Sequence, residues 1–143
     1  FFKSSIKAMT PISPIKVFVY GTLMRGFSNH YLINSCKYLG QATTVEKYSM
    51  HVGDFPFVNK SPPQSIILGE LYEVSEDYHL EQLDELEGHP NEYIRSDCQI
   101  ATYETGEIFE AQMYFNSGID SADSVFVSSG SFRDCPESKK HLI

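Results

Sequence analysis

The stretch Ile15-Lys16-Val17-Phe18-Val19-Tyr20-Gly21-Thr22-Leu23-Met24 decides how the rest of the chain is read. Ile15, Val17 and Val19 alternate with Lys16, Phe18 and Tyr20, so apolar bulk lies on both faces, as in a central strand covered on two sides. Pro11 and Pro14 impose an extended lead-in. A strand that runs straight into Gly21-Thr22 presents main-chain N–H groups to an anion. The plainer reading is a tight strand-to-helix turn that needs Gly for conformational reasons, and an isolated pentad would be read that way. Function enters when a second signal answers the first, and Glu87 supplies it.

Glu87 closes Leu83-Asp84-Glu85-Leu86-Glu87-Gly88, the end of the one strongly periodic helical stretch. At about 100° per residue, Leu80, Leu83 and Leu86 define an apolar face, and Glu87 lies roughly 40° from its centre while Glu81 and Glu85 point nearly opposite. Loss of water disfavours the carboxylate, and the partial negative charge of the last helical turn acts the same way. Both raise the affinity for a proton toward the neutral range that an acid/base group needs. The bland alternative is a partly exposed Glu beside a C-terminal Gly. Glu76 falls on the same face but in the first turn, where the dipole stabilises its charge.

Around these two features the chain reads as one α+β domain. Ser28 or Asn29 is placed to cap a short helix reaching about Cys36, with Tyr31, Leu32 and Cys36 as its apolar stripe. Residues 38–60 hold strands, including Thr43-Thr44-Val45 and Phe55-Pro56-Phe57-Val58, broken at Gly53-Asp54, and Ser61-Pro62-Pro63 is a loop. Residues 66–74 form another strand, with Ser75 as N-cap of the periodic helix that ends at Gly88. Residues 93–103 and 107–115 flank Glu104-Thr105-Gly106 as a hairpin. Residues 120–124 are expected to make a helical turn. The expected boundaries are an extended segment over 1–14, the domain over 15–135 and a frayed tail over 136–143.

Bulk composition narrows the partners. The 143 residues are 41% hydrophobic, enough for one core. Eleven Lys and Arg against nineteen Asp and Glu give a net charge of −8, so nucleic acid is not an expected partner. No apolar run reaches the roughly 20 residues of a membrane span. Cys36, Cys98 and Cys135 fit neither a disulfide framework nor Cys-x-x-Cys metal spacing, which points to reduced thiols and a cytoplasmic protein. His30, His51, His79, His89 and His141 have no ligand spacing, and no metal is expected. Walker and Rossmann fingerprints and the Gly-x-Ser-x-Gly elbow are missing, which argues against a nucleotide cofactor and a serine nucleophile.

Taken in order, Val17 to Leu23, Arg25-Gly26 with Asn29-His30, Phe55 to Val58, Gly69 to Val74, and Leu83-Asp84-x-x-Glu87-x-x-Pro90-x-x-Tyr93-x-Arg95 resemble the gamma-glutamylcyclotransferase-like superfamily, and within it the gamma-glutamylamine cyclotransferases. The resemblance implies a small mixed β-barrel flanked by helices, with a pocket at one end. It implies cofactor-independent cleavage of a small-molecule gamma-glutamyl amide by its own α-amine, releasing 5-oxoproline. Carried over by position, Glu87 is the catalytic acid/base and Tyr20, Gly21, Thr22 and Leu23 are the substrate-binding loop. Tyr93 and Arg95 match positions after the helix, with Tyr93 assigned to substrate binding and bracing of the strand the competing role for both. Met24, Gly88-His89-Pro90 and the stretch beyond Gly118 depart from the closer subfamily. Donors carrying a gamma-glutamyl amino acid, and a noncatalytic binding protein on the same fold, are the alternatives.

Overall fold

The computed structural model describes residues 11–116 and 123–143. The extended segment therefore lies mostly outside the described residues, as do 120–122 of the expected helical turn. The described elements are β1 (Pro11–Val19), a 3-10 turn (His30–Leu32), β2 (Lys37–Thr44), β3 (Ser49–Val52), β4 (Pro56–Asn59) and β5 (Leu68–Glu76), followed by α1 (Asp77–Glu87), β6 (Tyr93–Thr102), β7 (Ile108–Asn116), β8 (Val125–Phe126) and a second 3-10 helix (Pro136–His141). Five strands close into a barrel in the order β1-β5-β2-β6-β7, and β4-β3-β8 form a separate antiparallel sheet. This is the expected α+β fold built on a small mixed barrel.

The double-sided burial of β1 follows from its place in the closure. It runs antiparallel to β5, with Val17 opposite Tyr72, and parallel to β7, with Val17 opposite Gln112. Val17, Phe18 and Val19 are all buried, as are Leu71, Tyr72 and Val74 on β5 and Met113 on β7. Each such side chain contributes about 1.5–3 kcal/mol by leaving water. The hairpin β6–β7 pairs from Tyr93 opposite Asn116 to Ala101 opposite Ile108, and Gly106 turns it with φ 72°.

Three local expectations give way to tertiary structure. Ser28 and Asn29 do not start an α-helix: bonds from Leu32 N to Asn29 O and from Ile33 N to His30 O keep a single 3-10 turn. The Asn29 amide donates to Thr22 Oγ1 instead of capping, and Ile33 is the buried residue while Tyr31 is 67% exposed. Ser75 is not the N-cap of α1, because β5 continues through it to Glu76. The C-terminal tail is not frayed: Ser28 N donates to His141 O, Ile143 N to Gly26 O, and Ser138 is buried.

Deleting residues 136–143 is therefore expected to lower stability by about 1–3 kcal/mol, the scale of losing the two backbone hydrogen bonds to Gly26 and Ser28. Chemical denaturation of the truncated and full chains measures the difference.

Candidate active site

Helix α1 carries two carboxylates one turn apart, and the structure gives them opposite surroundings. Asp84 accepts from Arg95 Nε at 2.8 Å and Nη2 at 3.1 Å and from the Tyr114 hydroxyl at 2.6 Å. Arg95 also donates to Gln112, and its backbone N–H donates to His89 Nδ1 at 3.0 Å. Helix α1 is thereby fixed to the β6–β7 hairpin. Glu87 accepts no hydrogen bond from the described residues, and burial raises its carboxyl from an ordinary 4.5 to about 7. Gly88 ends the helix with φ 68°, its N–H and that of His89 returning to Glu85 O and Asp84 O.

The loop after β1 faces Glu87 across a cavity of about 320 Å³. Within the loop the carbonyls are used up: Gly21 O accepts from Met24 N, Thr22 O from Asn29 N, and Leu23 O from His30 Nδ1. Among the described residues no acceptor engages the N–H groups of Gly21, Thr22 and Leu23. Gly21 is needed here for space. Its φ is not positive, but a Cβ would stand 2.6 Å from Pro56 Cγ, so only Gly lets the loop close on the β4 edge. Beyond Met24 the loop is clamped by a buried carboxylate on β5. Glu70, 3% exposed, accepts from Arg25 N at 3.0 Å and Tyr72 OH at 2.8 Å, while Arg133 Nη2 donates to Arg25 O at 2.8 Å.

Three tyrosines complete the walls. Tyr20 OH donates to Tyr114 O at 2.8 Å and Tyr93 OH to Pro56 O at 3.3 Å, with Tyr114 held on Asp84. Burial first, and then the nearby Glu87 charge, pushes the Tyr20 and Tyr93 phenols up; burial and Asp84 do so for Tyr114. All three keep their protons in the neutral range and serve as donors, which leaves Glu87 as the described wall group with a proton affinity tuned to it.

Tyr20, Gly21, Thr22, Leu23, Glu87 and Tyr93, singled out in the sequence, thus line one cavity. Arg95 does not line it and braces the strand, one of the two roles left open for it. Sequence reasoning missed Asn29, Pro56, Glu92 and Tyr114 as lining residues, and the pairing of Asp84 with Tyr114. The one available signal was Asp84 itself, three residues before Glu87 and so on the neighbouring face. No group of three or more His, Cys, Asp or Glu side chains suited to a metal occurs among the described residues, and none of their helices is long and apolar enough to cross a membrane.

A small closed barrel whose first strand ends in free amide donors, opposite a desolvated helix-end carboxyl, can hold an anion beside a group that carries a proton near neutral pH. The gamma-glutamyl cyclotransferase, AIG2-like family matches residues 17–134, and the chain belongs to that family. A Methanocaldococcus jannaschii protein provisionally named a gamma-glutamylcyclotransferase is 42% identical over 120 residues, covering 82% of this chain and 95% of that one. Gamma-glutamylaminecyclotransferase A of Danio rerio is 35% identical over 120 residues, covering 77% and 74%. The crystal structure of an AIG2-like protein from Mus musculus superposes with a TM-score of 0.73 at 25% identity, covering 82% of this chain and 88% of that chain.

A carboxyl that is harder to ionise when folded makes the native state bind more protons than the unfolded chain between pH 4.5 and about 7. Stability then falls as pH rises through that window, opposite to the usual salt-bridged carboxylate. Relative to Glu87→Gln, the wild-type chain is expected to lose at most about 3 kcal/mol between pH 4 and 8. Urea titrations of both proteins across that range give the difference directly.

Proposed function

We propose that the protein is a gamma-glutamylamine cyclotransferase that needs no cofactor. The observation that carries this reading is a carboxyl tuned to about 7 in the same cavity as the unengaged amides of residues 21–23. The substrate holds its own nucleophile, since its α-amine closes a five-membered ring on the δ-carbonyl, and an enclosed site favours the folded rotamer. The α-ammonium, with a pKa of about 8, is unreactive until it loses a proton. Glu87, as carboxylate, accepts that proton.

The α-nitrogen then bonds to the δ-carbon, and the tetrahedral oxyanion or the substrate α-carboxylate is held by N–H groups of Gly21, Thr22 and Leu23. Glu87 returns its proton to the departing nitrogen as the amide C–N bond breaks. The ring nitrogen, cationic once bonded to carbon, gives its second proton to Glu87 after the first has been delivered, and Glu87 passes it to the departing amine, so the products are 5-oxoproline and a protonated amine with no water consumed. Thr22 Oγ1 is oriented by the Asn29 amide, which leaves the hydroxyl proton free to donate into the cavity. Tyr93 supplies a wall beside Glu87.

An assay for 5-oxoproline over gamma-glutamyl donors tests the reading. Glu87→Gln should lower kcat by about 10²–10⁴-fold, the usual contribution of a positioned acid/base, with the fold retained by circular dichroism. Full activity in that variant ends the proposed mechanism. Because the carboxylate must start unprotonated, kcat/KM of the wild type should fall as pH drops through about 7.

A further inference from the structure

The amide donors of the proposed reaction, on which this inference rests, are held in place by a carboxylate that the reaction itself does not use. Glu70 lies opposite Val19, the last residue of β1, in the β1–β5 ladder. The two strands are pressed close there, since a Cβ on Gly69 would stand 2.2 Å from Val19 O. Glu70 is thus delivered, buried, to the exit of β1. It does not line the cavity that holds Glu87; it lines a separate crevice of about 220 Å³ with Met24 and Arg133.

The contacts of Glu70 converge on one residue of the loop, and they reach its backbone. Arg25 N donates to Oε1 at 3.0 Å, and Arg133 Nη2 bridges from Oε2, at 3.4 Å, to Arg25 O at 2.8 Å. Both peptide groups of Arg25 are therefore fixed, directly after the turn that Met24 N closes on Gly21 O. Tyr72, two positions along β5 and so on the same face, donates to Oε1 at 2.8 Å and fixes the carboxylate itself. An uncompensated negative charge near the turn would weaken its hold on an anion. Arg133 and the Arg25 Nε, 3.6 Å from Oε2, offset that charge, so the cluster orders the loop without opposing the ligand.

We propose that Glu70 and Arg133 are positioning residues for the reaction, holding the backbone of Arg25 so that the N–H groups of residues 21–23 stay aligned on the bound anion. Neither touches substrate. Their loss misplaces the donors, and a shift of about 1 Å can cost about 100-fold in rate.

Steady-state kinetics with gamma-glutamyl-n-butylamine give the first readout. Glu70→Ala should lower kcat/KM by about 10- to 100-fold, and Arg133→Met by about three- to tenfold. Glu70→Gln, whose amide oxygen can still accept from Arg25 N and Tyr72 OH, should lose about threefold or less. The inflection of kcat/KM near pH 7 should stay where Glu87 sets it in all three. Two ring ligands then separate the donors from the rest of the cavity: 5-oxoproline, and 2-pyrrolidinone, the same lactam without the carboxylate. In NMR titrations Glu70→Ala should bind 5-oxoproline about tenfold more weakly than the wild type, with the affinity for 2-pyrrolidinone unchanged. Wild-type kcat/KM in a folded Glu70→Ala chain, an equal loss for both ring ligands, or a displaced pH inflection overturns the positioning role. Should Glu70→Ala not fold, Arg133→Met carries the same comparison: a three- to tenfold loss confined to 5-oxoproline is expected, and no loss overturns the role. A wild-type chain that neither forms nor binds 5-oxoproline overturns the cyclotransferase reading as well.

Discussion

The site depends on the pairing of Asp84 with Arg95 and Tyr114. Two carboxylates three residues apart on one helix cannot both be desolvated and unpaired without large cost. Here Asp84 is satisfied by a guanidinium and a phenol, and its bonds hold α1 against β6 and β7. With that pairing intact, the helix holds Glu87 at the cavity wall. One partly buried ion pair thus helps keep the neighbouring acid in a position it would not choose. Tyr114 links the two, since its hydroxyl serves Asp84 while its carbonyl accepts from Tyr20 at the start of the opposing loop.

The opposing loop is held with comparable economy. Its carbonyls are occupied from within by Met24, Asn29 and His30, so any ligand meets N–H groups instead of a mixed surface. Its far end is closed by Glu70 on β5 and by Arg133 near the C-terminus. The lip formed by Asp54 and Phe55 is in turn secured by His141, whose Nε2 donates to Asp54 O at 2.8 Å and whose ring lies 4.9 Å from that of Phe55. Segments far apart in sequence therefore set the position of a few donors, which preorganised electrostatic stabilisation demands.

This explains what was legible in the sequence and what was not. The alternation over Ile15 to Tyr20 and the Glu104-Thr105-Gly106 turn are local signals, and the barrel strands follow from them. Glu87 was legible because helical periodicity and end polarity are also local. The spatial reason for Gly21 was not: it lies in Pro56, 35 positions away, and no turn rule contains that contact. The helix expected after Ser28 failed because Asn29, a good cap by composition, is drawn to Thr22 instead. The tail looked frayed because Pro136 to Ile143 has no apolar period, yet backbone bonds to Gly26 and Ser28 anchor it. Side chains that meet only through closure of the barrel, Tyr114 and Asp84 among them, leave no spacing to read.

Among the described residues no cationic side chain lines the cavity, and this bears on the acid/base tuning. An Arg or Lys would be the simplest device for holding a substrate carboxylate, but the same charge a few ångströms from Glu87 would stabilise its anion and draw its pKa back toward the ordinary carboxyl range. A weaker base would then have to deprotonate an ammonium with a pKa of about 8. Backbone N–H groups avoid that conflict, because their dipoles act strongly at hydrogen-bond distance and fall off faster than a full charge. A wall built from amides, phenols and apolar side chains thus lets the proposed reaction bind an anion and keep a base near neutrality in one small space.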